Sequence, residues 1–274
     1  MAISNTTAAA ASDDAAVLAV FEALSLAAGR VVMDVFRAGA TVSHKLDRSP
    51  VTEADRAAER LILSGLREAF PALACVAEEE CGAGLVPPTL GDAFLLVDPL
   101  DGTREFVSGC ADFTVNIALV RDGWPAVGAV FAPVARRLYL GRTGFAERVE
   151  VDEGFTAGRR RPIAVRQPSE PLAIVASRSH RTPETDSFLL GFGTAEIVSV
   201  GSSLKFCMIA AGEADLYPRF GPTMEWDTAA GDAVLRAAGG TTQTLDGAPL
   251  VYGKRGEPGR LDFANPDFIA RGAA

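Results

Sequence analysis

Histidine is nearly absent from this chain: only His44 and His180 occur among its 274 residues. Cysteine is also sparse. The four cysteines have neither the paired spacing of a zinc site nor the density of a disulfide framework, so we expect reduced thiols. A multi-histidine metal site and a mechanism built on several imidazoles are therefore poorly supplied. Acid and base chemistry should depend on carboxylates and on whatever they bind.

Positive charge is also in short supply, and the formal net charge is −9. Nucleic acids and anionic membranes attract basic surfaces, so neither is expected as a bulk partner. No run approaches the roughly 18 apolar residues of a membrane span. The alanine-rich start carries Asp13 and Asp14 and no basic segment, which argues against a secretory signal. We predict a cytoplasmic protein and leave its oligomeric state and any peripheral association with the inner membrane open.

The hydrophobic pattern changes character part-way along the chain. Two amphipathic helices, separated by a turn at 46–50, precede a run of strands that is typical of an antiparallel meander. A stretch rich in Gly, Arg and Pro at 154–171 then leads into alternating strands and helices, typical of a partly parallel sheet. We therefore predict an N-terminal α+β half at 13–153 and a C-terminal α/β half at 154–274, packed as one unit.

The stretch 97–106, VDPLDGTREF, concentrates acids, a turn and a hydroxyl directly after a predicted strand. That strand delivers Asp98 to its carboxyl end, where open α/β sheets bind ligands. Pro99 should stop strand pairing, so that Asp98, the Leu100 carbonyl and Asp101 turn toward one point. Such oxygens suit a hard divalent cation such as magnesium. The Asp-Gly pair is equally an ordinary turn dipeptide, and these residues alone leave both interpretations open.

Other acids also stand where helices or strands begin or end. The acids at 78–80 follow a short strand, although three adjacent acids are most often a solvated face. Asp227 opens a helix, where the helix dipole favours an acid without any function. Asp55 follows Thr52 by three residues, and helix capping is the favoured interpretation of that pair. If these acids converged with those of the turn, they would repel one another unless cations joined them.

Two segments have the design of an anion site. If a helix starts at Thr103, its free amides face a phosphate. The stretch 201–205, GSSLK, repeats the design and adds hydroxyls and an ammonium, but a plain N-cap with a solvated Lys205 explains it equally well. Segments around His180 and Arg219 add further donors and cations. No Walker loop, dinucleotide-binding glycine motif, nucleophile elbow or His-Glu-x-x-His motif occurs.

Taken together, Glu78-Glu79, the stretch 98–103 and the stretch 226–231, WDTAAG, resemble the signatures of the inositol monophosphatase superfamily of lithium-sensitive, magnesium-dependent phosphatases. Within it the chain is similar to the bacterial CysQ branch of 3′(2′),5′-bisphosphate nucleotidases, which act in sulfate assimilation. The segments that carry this second resemblance are 103–106, 113–119, 177–180, 201–207 and 217–223.

The resemblance implies the fold class, α/β (α+β), and a layered αβαβα sandwich of the sugar-phosphatase type. It implies two or three Mg²⁺ ions as cofactor and a small phosphate ester as substrate. The implied reaction removes the 3′-phosphate of adenosine 3′,5′-bisphosphate, or of its sulfated form, to give AMP or adenosine phosphosulfate. An inositol-1-phosphatase, a fructose-1,6-bisphosphatase or a non-catalytic metabolite-binding protein are the alternatives.

The resemblance also implies roles for individual residues. Asp55 and Thr103 would orient and deprotonate the attacking water, and Gly102, Thr103 and Arg104 would meet the substrate. Arg104 stands where this branch commonly has Lys, and Asp232 occupies a variable place, which leaves substrate preference less secure than reaction type. The implied metal ligands are Glu78, Asp98, the Leu100 carbonyl, Asp101 and Asp227, with Glu79 at a third metal position. The residues implied on the nucleotide side are His180, Ser202, Lys205 and Arg219.

Overall fold

The protein is described by a computed structural model over residues 13–44 and 50–273. Most of the turn predicted at 46–50 lies outside the described residues. Helices and sheets alternate in five layers, which confirms the predicted αβαβα sandwich. A short antiparallel pair, β1 (Val42–His44) and β2 (Pro50–Thr52), stands apart from the two main sheets. The helices are α1 (Asp14–Ala38), α2 (Glu53–Ala69), α3 (Glu78–Gly82), α4 (Thr103–Val107), α5 (Pro183–Leu190), α6 (Leu204–Ala210) and α7 (Glu225–Ala237).

The larger sheet contains the strands β3 (Ala74–Ala77), β4 (Ala93–Asp101), β5 (Thr114–Arg121), β6 (Trp124–Ala132), β7 (Arg137–Arg142), β8 (Phe145–Val151) and β9 (Ala157–Pro162). They lie side by side in chain order. β3 is parallel to β4, and every later pair is antiparallel. This confirms the meander that the sequence predicts for the first half.

The smaller sheet contains β10 (Ala173–Ser177), β11 (Glu196–Val200), β12 (Leu216–Arg219), β13 (Thr241–Thr244) and β14 (Phe268–Arg271). Its strand order is β11-β10-β12-β14-β13. β10 is parallel to both of its neighbours, whereas β14 pairs antiparallel with β12 and β13. The sheet is therefore partly parallel, as the alternation of strands and helices predicts.

Both faces of the larger sheet are buried, and β4 shows how the sequence achieves this. Leu95 and Val97 enter the core that α1 and α2 cover, whereas Phe94 and Leu96 enter the core formed with α6, α7 and the smaller sheet. A third core lies on the far side of the smaller sheet, under α5. Because both faces need apolar residues, β4 is a continuous apolar run instead of an alternating one.

Helix α7 packs unusually close to the larger sheet, because two strand positions carry no side chain. A Cβ atom at Gly128 in β6 would lie 2.4 Å from the Ala230 carbonyl oxygen of α7. A Cβ atom at Gly141 in β7 would lie 2.5 Å from the Val234 Cα. The two glycines fix the distance between α7 and the sheet, and thereby the position of the helix that begins at Glu225.

Helix α1 corrects one expectation from the sequence. By length and composition it qualifies as a membrane span, although no long uninterrupted apolar run was apparent. Its alanines and valines raise the mean hydropathy while charged residues remain spaced among them. In the structure Val17, Phe21 and Val32 are fully or almost fully buried in the core shared with α2 and the larger sheet. The apolar face of α1 is therefore used within the fold.

The segment between the two predicted halves contains more structure than its composition indicates. The Gly-, Arg- and Pro-rich stretch includes β9, which completes the larger sheet by pairing with β8. Three consecutive arginines in β9 lie at the exposed edge of that sheet, where charge discourages pairing with another chain. The division of the chain after residue 153 stays a prediction.

Candidate active site

The end of β4 is bent by a bulge, which differs from the predicted stop in strand pairing. Asp98 pairs with Asn116 of β5 and Asp101 pairs with Thr114, so β4 has one more residue than β5 across this interval. The strand therefore continues past Pro99 and turns while still held by β5. The Asp98 Oδ1 atom accepts the Leu100 N–H at 3.0 Å, which tightens the turn.

Asp55 performs two structural tasks with its two carboxylate oxygens. Its Oδ2 atom accepts the Thr52 N–H and hydroxyl, both at 2.7 Å, and completes the capping box of α2. Its Oδ1 atom lies 3.1 Å from the Thr103 hydroxyl, which is also 3.1 Å from the Leu100 carbonyl oxygen. The capping interpretation is therefore correct but incomplete, because the same side chain reaches the first residue of α4. Burial raises the pKa of Asp55, and its hydrogen bonds oppose that rise.

A cavity of about 210 Å³ opens above the bulge. Asp55 and Glu79 are the predicted site residues that are not among those lining it, and Asp55 reaches it through Thr103. We call Glu78, Asp98, Asp101 and Asp227 the acidic wall, and His180, Ser202, Lys205 and Arg219 the basic wall. The predicted residues that do line the cavity are Glu78, Asp98, Leu100, Asp101, Gly102, Thr103, Arg104, His180, Ser202, Lys205, Arg219 and Asp227.

Backbone and amide donors hold three members of the acidic wall in place. Besides the bond to Asp98, the Asp101 Oδ2 atom accepts the Ser203 N–H at 2.6 Å and the Asn116 amide at 3.3 Å. The Asp227 Oδ2 atom accepts the Met224 N–H at 2.8 Å. Among the described residues no three acids, histidines or cysteines stand close enough to form a ready-made metal cluster. The acids thus share one cavity, and Asp98, Asp101 and Asp227 each have their own hydrogen-bond donor.

The acidic wall is electrostatically strained, which tests whether its residues fit a cation. Burial raises the pKa of Asp98 well above its ordinary value, and the nearby Glu78, Asp101 and Asp227 raise it further. Burial also raises the pKa of Asp101 and of Asp227, although Lys205 opposes the rise at Asp101. Buried carboxylates of one sign keep their charge only if positive charge joins them. Four carboxylates and the Leu100 carbonyl form an all-oxygen donor set, which fits a hard divalent cation.

The short helix α3 is positioned by an acid that the sequence does not single out. Glu59 of α2 is 5% exposed and accepts the N–H groups of Glu79 at 2.7 Å and Glu80 at 3.0 Å. Burial raises the pKa of Glu59 to about 7, with a smaller contribution from the charges of Glu79 and Glu80. These bonds fix the first turn of α3 and place Glu78 at the cavity.

Arg219 supplies an unsatisfied buried donor to the basic wall. Its guanidinium donates to the Pro222 carbonyl at 2.6 Å and to the His180 carbonyl at 3.5 Å. Within residues 13–44 and 50–273, its Nε–H has no hydrogen-bond partner although the side chain is almost fully buried. A buried, unpaired N–H of a cation costs free energy, so this group is suited to an incoming anion.

Among the other members of the basic wall, Lys205 is the deeply buried one. The Lys205 ammonium donates to the Val200 carbonyl at 3.2 Å and to the Ser202 carbonyl, and it lies 5.0 Å from the centre of the Tyr217 ring. Burial lowers the pKa of Lys205 to about 8, and Asp101 opposes that change. Burial, aided by Arg219, lowers the pKa of His180 to about 4. Lys205 is therefore not the solvated charge of the alternative interpretation, and the lowered pKa of His180 disfavours its charged form.

Two helices, α4 and α6, are predicted to begin beside the cavity, and only α4 begins at the predicted residue. Helix α4 begins at Thr103, as predicted, after Gly102 in a left-handed conformation with φ 93°. The alternating pattern of the second half predicts a helix over 202–211, but α6 begins at Leu204, because Ser202 has a φ of 50° that a helix does not tolerate. The Ser203 side chain makes no capping hydrogen bond.

A family model for the inositol monophosphatase family matches residues 13–266 of this chain. The chain belongs to the inositol monophosphatase family. This confirms the resemblance that the acids at 78–79, 98–101 and 227 indicate. It also accounts for a cavity that combines carboxylates with cations, because the implied reaction needs both.

Relatives of known name extend the likeness over almost the whole chain. A 3′(2′),5′-bisphosphate nucleotidase CysQ from Salmonella typhimurium is 42% identical over 88% of this chain and 94% of its own length. The CysQ protein of Escherichia coli strain K12 is 43% identical over the same shares. The structure of CysQ from Bacteroides thetaiotaomicron matches 92% of this chain and 95% of its own, with 34% identity and a TM-score of 0.74. An inositol monophosphatase from Anabaena matches at 25% identity with a TM-score of 0.68, covering 93% and 89%.

Within this family fold, several residues at the site escape sequence reasoning. Asn116 and Ser203, which bind Asp101, are buried, and so is Glu59 beneath α3. A polar residue in the middle of the apolar strand β5 is a signal that would have identified Asn116. Asp232, an uncertain position in the sequence, binds the Tyr252 and Thr242 hydroxyls at 2.9 and 2.7 Å, away from the cavity lining. It stabilises the packing of α7.

Proposed function

We propose that this protein is a magnesium-dependent 3′(2′),5′-bisphosphate nucleotidase that removes the 3′-phosphate of adenosine 3′,5′-bisphosphate, or of its sulfated form, in sulfur assimilation. The observation that carries the proposal is the composition of one cavity: an acidic wall and a basic wall meet there beside the Thr103–Asp55 pair. The named relatives at 42–43% identity over 88% of the chain support the substrate class.

Magnesium would be held by the four acids of the acidic wall and by the Leu100 carbonyl, as two or three ions, with Glu79 at the third position. When bound, magnesium supplies the charge that lowers the pKa of water and offsets the negative charge of a phosphoryl group. This explains why the site needs no protein nucleophile and almost no histidine. The anchors on Asp98, Asp101 and Asp227 keep those carboxylates oriented before any cation arrives.

Thr103 and Asp55 orient the attacking water. The Thr103 hydroxyl has one proton, and Asp55 is a stronger acceptor than the Leu100 carbonyl because it carries charge. If the proton points to Asp55, the Thr103 oxygen keeps lone pairs for a proton of the water. Asp55 is then the group toward which the proton moves, and the capping box holds it in place.

The substrate is bound by the basic wall together with the start of α4. Gly102, Thr103 and Arg104 meet the phosphate that is cleaved, and the amides at the start of α4 contribute donors. Arg219 offers its unpaired Nε–H to the second phosphate. Lys205 adds positive charge beside it. His180 faces the nucleoside as a hydrogen-bonding group, and its lowered pKa disfavours the charged form.

The proposal places the enzyme in the cytoplasm. The net charge of −9 gives no attraction to an anionic membrane surface, so a peripheral association with the inner membrane would need a local basic patch.

The test is phosphate release from adenosine 3′,5′-bisphosphate, inositol 1-phosphate and fructose 1,6-bisphosphate, side by side, with and without magnesium and with added lithium. We expect the nucleotide to have the highest kcat/KM, and release to require magnesium. Faster turnover of the inositol or sugar ester would reject the nucleotidase assignment. If magnesium caused no release from any ester, the protein would not be an enzyme of this type.

A further inference from the structure

A chain of buried hydrogen bonds connects the two halves of the protein behind Asp101. The Thr114 hydroxyl lies 2.9 Å from the Ser203 hydroxyl, and Ser203 in turn lies 2.8 Å from the Asn116 Oδ1 atom. The Asn116 amide donates to the Asp101 Oδ2 atom at 3.3 Å. Thr114, Asn116 and Ser203 are each at most 2% exposed. The chain therefore runs from β5 through the turn before α6 and ends on a member of the acidic wall.

The donors and acceptors of this chain can be arranged in only one direction. An ionised Asp101 only accepts, so the Asn116 side chain must present its NH₂ group to it. The Asn116 carbonyl then faces Ser203, which must donate its hydroxyl proton. The Ser203 oxygen is left to accept the Thr114 proton. Because every proton has one place, the chain fixes the orientation of Asn116 and through it that of Asp101.

A second bond joins the same carboxylate oxygen to the basic wall. The Ser203 N–H donates to the Asp101 Oδ2 atom at 2.6 Å. Both described bonds thus go to Oδ2, which leaves Oδ1 of this cavity-lining acid as the oxygen for a ligand. Ser203 follows Ser202 directly and precedes Lys205 by two residues. The Asp101 Oδ2 atom therefore connects the segment that carries Ser202 and Lys205 to the acidic wall.

We propose that Asn116 and Ser203 are positioning residues, which hold Asp101 so that its Oδ1 atom is presented to the metal and which couple the basic wall to the acidic wall. This inference rests on the proposed function, since it takes Asp101 as a metal ligand. Burying three polar side chains costs free energy unless each is hydrogen-bonded. Apolar side chains at these three positions could fill the space but could not orient Asp101. We therefore attribute the polar side chains of Thr114, Asn116 and Ser203 to the orientation that they give Asp101.

The test compares metal affinity among variants of full-length protein, with Mn²⁺ as a paramagnetic probe whose free concentration is measured by electron paramagnetic resonance. Changes in groups that orient a ligand typically weaken metal binding about 10- to 100-fold, and we expect Asn116→Leu to raise the Mn²⁺ Kd by such a factor. Ser203→Ala keeps its N–H bond and should raise the Kd about 3- to 10-fold. Ser203→Thr retains the hydroxyl and should restore most of the affinity.

Thr242→Val is the matched control, because it removes another buried hydroxyl bound to a buried acid, Asp232, away from the cavity lining. It should lower the Tm as Ser203→Ala does while leaving the Mn²⁺ Kd at the wild-type value. If Asn116→Leu fails to fold, the contrast between Ser203→Ala and Thr242→Val decides the matter.

Two failures can be told apart. If wild-type protein binds Mn²⁺ and Asp101→Asn does not, but Ser203→Ala and every folded Asn116 variant bind within about 2-fold of wild type, the positioning role is rejected and the metal site stands. If Asp101→Asn binds Mn²⁺ as tightly as wild type, the assignment of Asp101 as a ligand is rejected, and the positioning inference falls with it.

Discussion

The acidic and basic walls of the cavity are built in different ways. The acidic wall has a local part, in which the bulged strand β4 places Asp98 and Asp101 three residues apart, and two further members, Glu78 from α3 and Asp227 from α7. The basic wall draws His180, Ser202, Lys205 and Arg219 from separate loops and elements of the second half. Local backbone geometry determines half of the acidic wall, whereas tertiary packing assembles the whole of the basic wall.

This difference separates chemistry from recognition. Under the proposed function the acidic wall and Thr103 would contact the groups that react, so changes there should lower kcat. The basic wall would contact the remainder of the substrate, so changes there should raise KM. Hydrogen bonds join segments next to the two walls: the Ser179 hydroxyl donates to Glu105 at 2.5 Å and the Gly201 N–H donates to Asp112 at 3.1 Å.

The largest effect should follow from Asp101→Asn, which removes one charge from the acidic wall. The introduced amide can keep its carbonyl oxygen on the Ser203 N–H and the Asn116 amide, where only an acceptor fits, but its NH₂ group then takes the place of the second carboxylate oxygen. We expect kcat to fall by about 1000-fold or more, beyond the roughly 100- to 1000-fold lost with one catalytic hydrogen-bond donor. Steady-state kinetics measures the change in kcat. Asp122→Asn is the control, because Asp122 lies in the turn between β5 and β6 and does not line the cavity. Near-normal activity of Asp101→Asn would remove it from the wall.

A somewhat smaller effect is expected from Thr103→Val, which keeps the shape of the side chain and removes the hydroxyl that contacts Asp55. Loss of a positioned proton-transfer group typically costs about 100- to 10,000-fold, and we expect a loss of kcat near the lower end. KM should change little. Thr103→Ser should recover most of the rate, and failure of serine to do so would indicate that the methyl group, not the hydroxyl, matters.

An intermediate effect should follow from changing Lys205 in the basic wall. Lys205→Met keeps most of the buried volume that Lys205→Ala would empty, so it isolates the charge. We expect the KM for adenosine 3′,5′-bisphosphate to rise about 10-fold, which corresponds to about 1.4 kcal/mol. The KM for a small ester with one phosphate should change less. Equal changes for both substrates would contradict the division of labour between the walls.

The smallest effect concerns the stability of metal-free protein. A carboxyl whose pKa is raised by folding binds its proton more tightly in the folded state, so stability falls as pH rises from 3.8 through the folded pKa, about 8 for Asp227. In chelator, the Tm should fall by a few degrees between pH 6.5 and 8.5. The lowered pKa of His180 has the opposite effect: it makes stability fall as pH falls, but only below the ordinary histidine pKa of 6.5, outside this pH range.

Magnesium should reverse this loss, because it binds the deprotonated acids of the folded protein. Differential scanning calorimetry of wild type and Asp227→Asn, each with chelator and with magnesium, provides the comparison. The variant should show a shallower pH dependence. An identical slope in both proteins would show that Asp227 is not strained by its neighbours.

The sequence predicts the acidic wall well and the basic wall only in outline, for a physical reason. Asp98 and Asp101 are close in the chain, and the strand, proline and glycine around them have strong local preferences. The unsatisfied Nε–H of Arg219 and the lowered pKa of His180 depend on segments that are distant in the sequence, which no local pattern encodes. The family resemblance named these residues, but only the fold shows their environment.

The errors of sequence reasoning have the same origin. Residues 157–162 have the composition of a linker, yet β8 offers them a strand partner and they complete the larger sheet. Helix α6 starts at Leu204 and not at 202, because Ser202 has a φ of 50° and Ser203 is held by hydrogen bonds to Asp101 and Asn116. Helix α1 has the composition of a membrane span because it must cover one face of a large sheet. In each case long-range packing decided between options that local preference left open.

Because α7 packs closely on the larger sheet, the position of Asp227 in the acidic wall depends on two residues that have no side chain. Asp227 sits in the first turn of α7, and that helix rests on Gly128 and Gly141. An added methyl group at either glycine would meet the helix backbone at about 2.5 Å, so the helix would have to lift and take its acid with it. The lack of a side chain at Gly128 and Gly141 therefore determines how close Asp227 lies to the sheet.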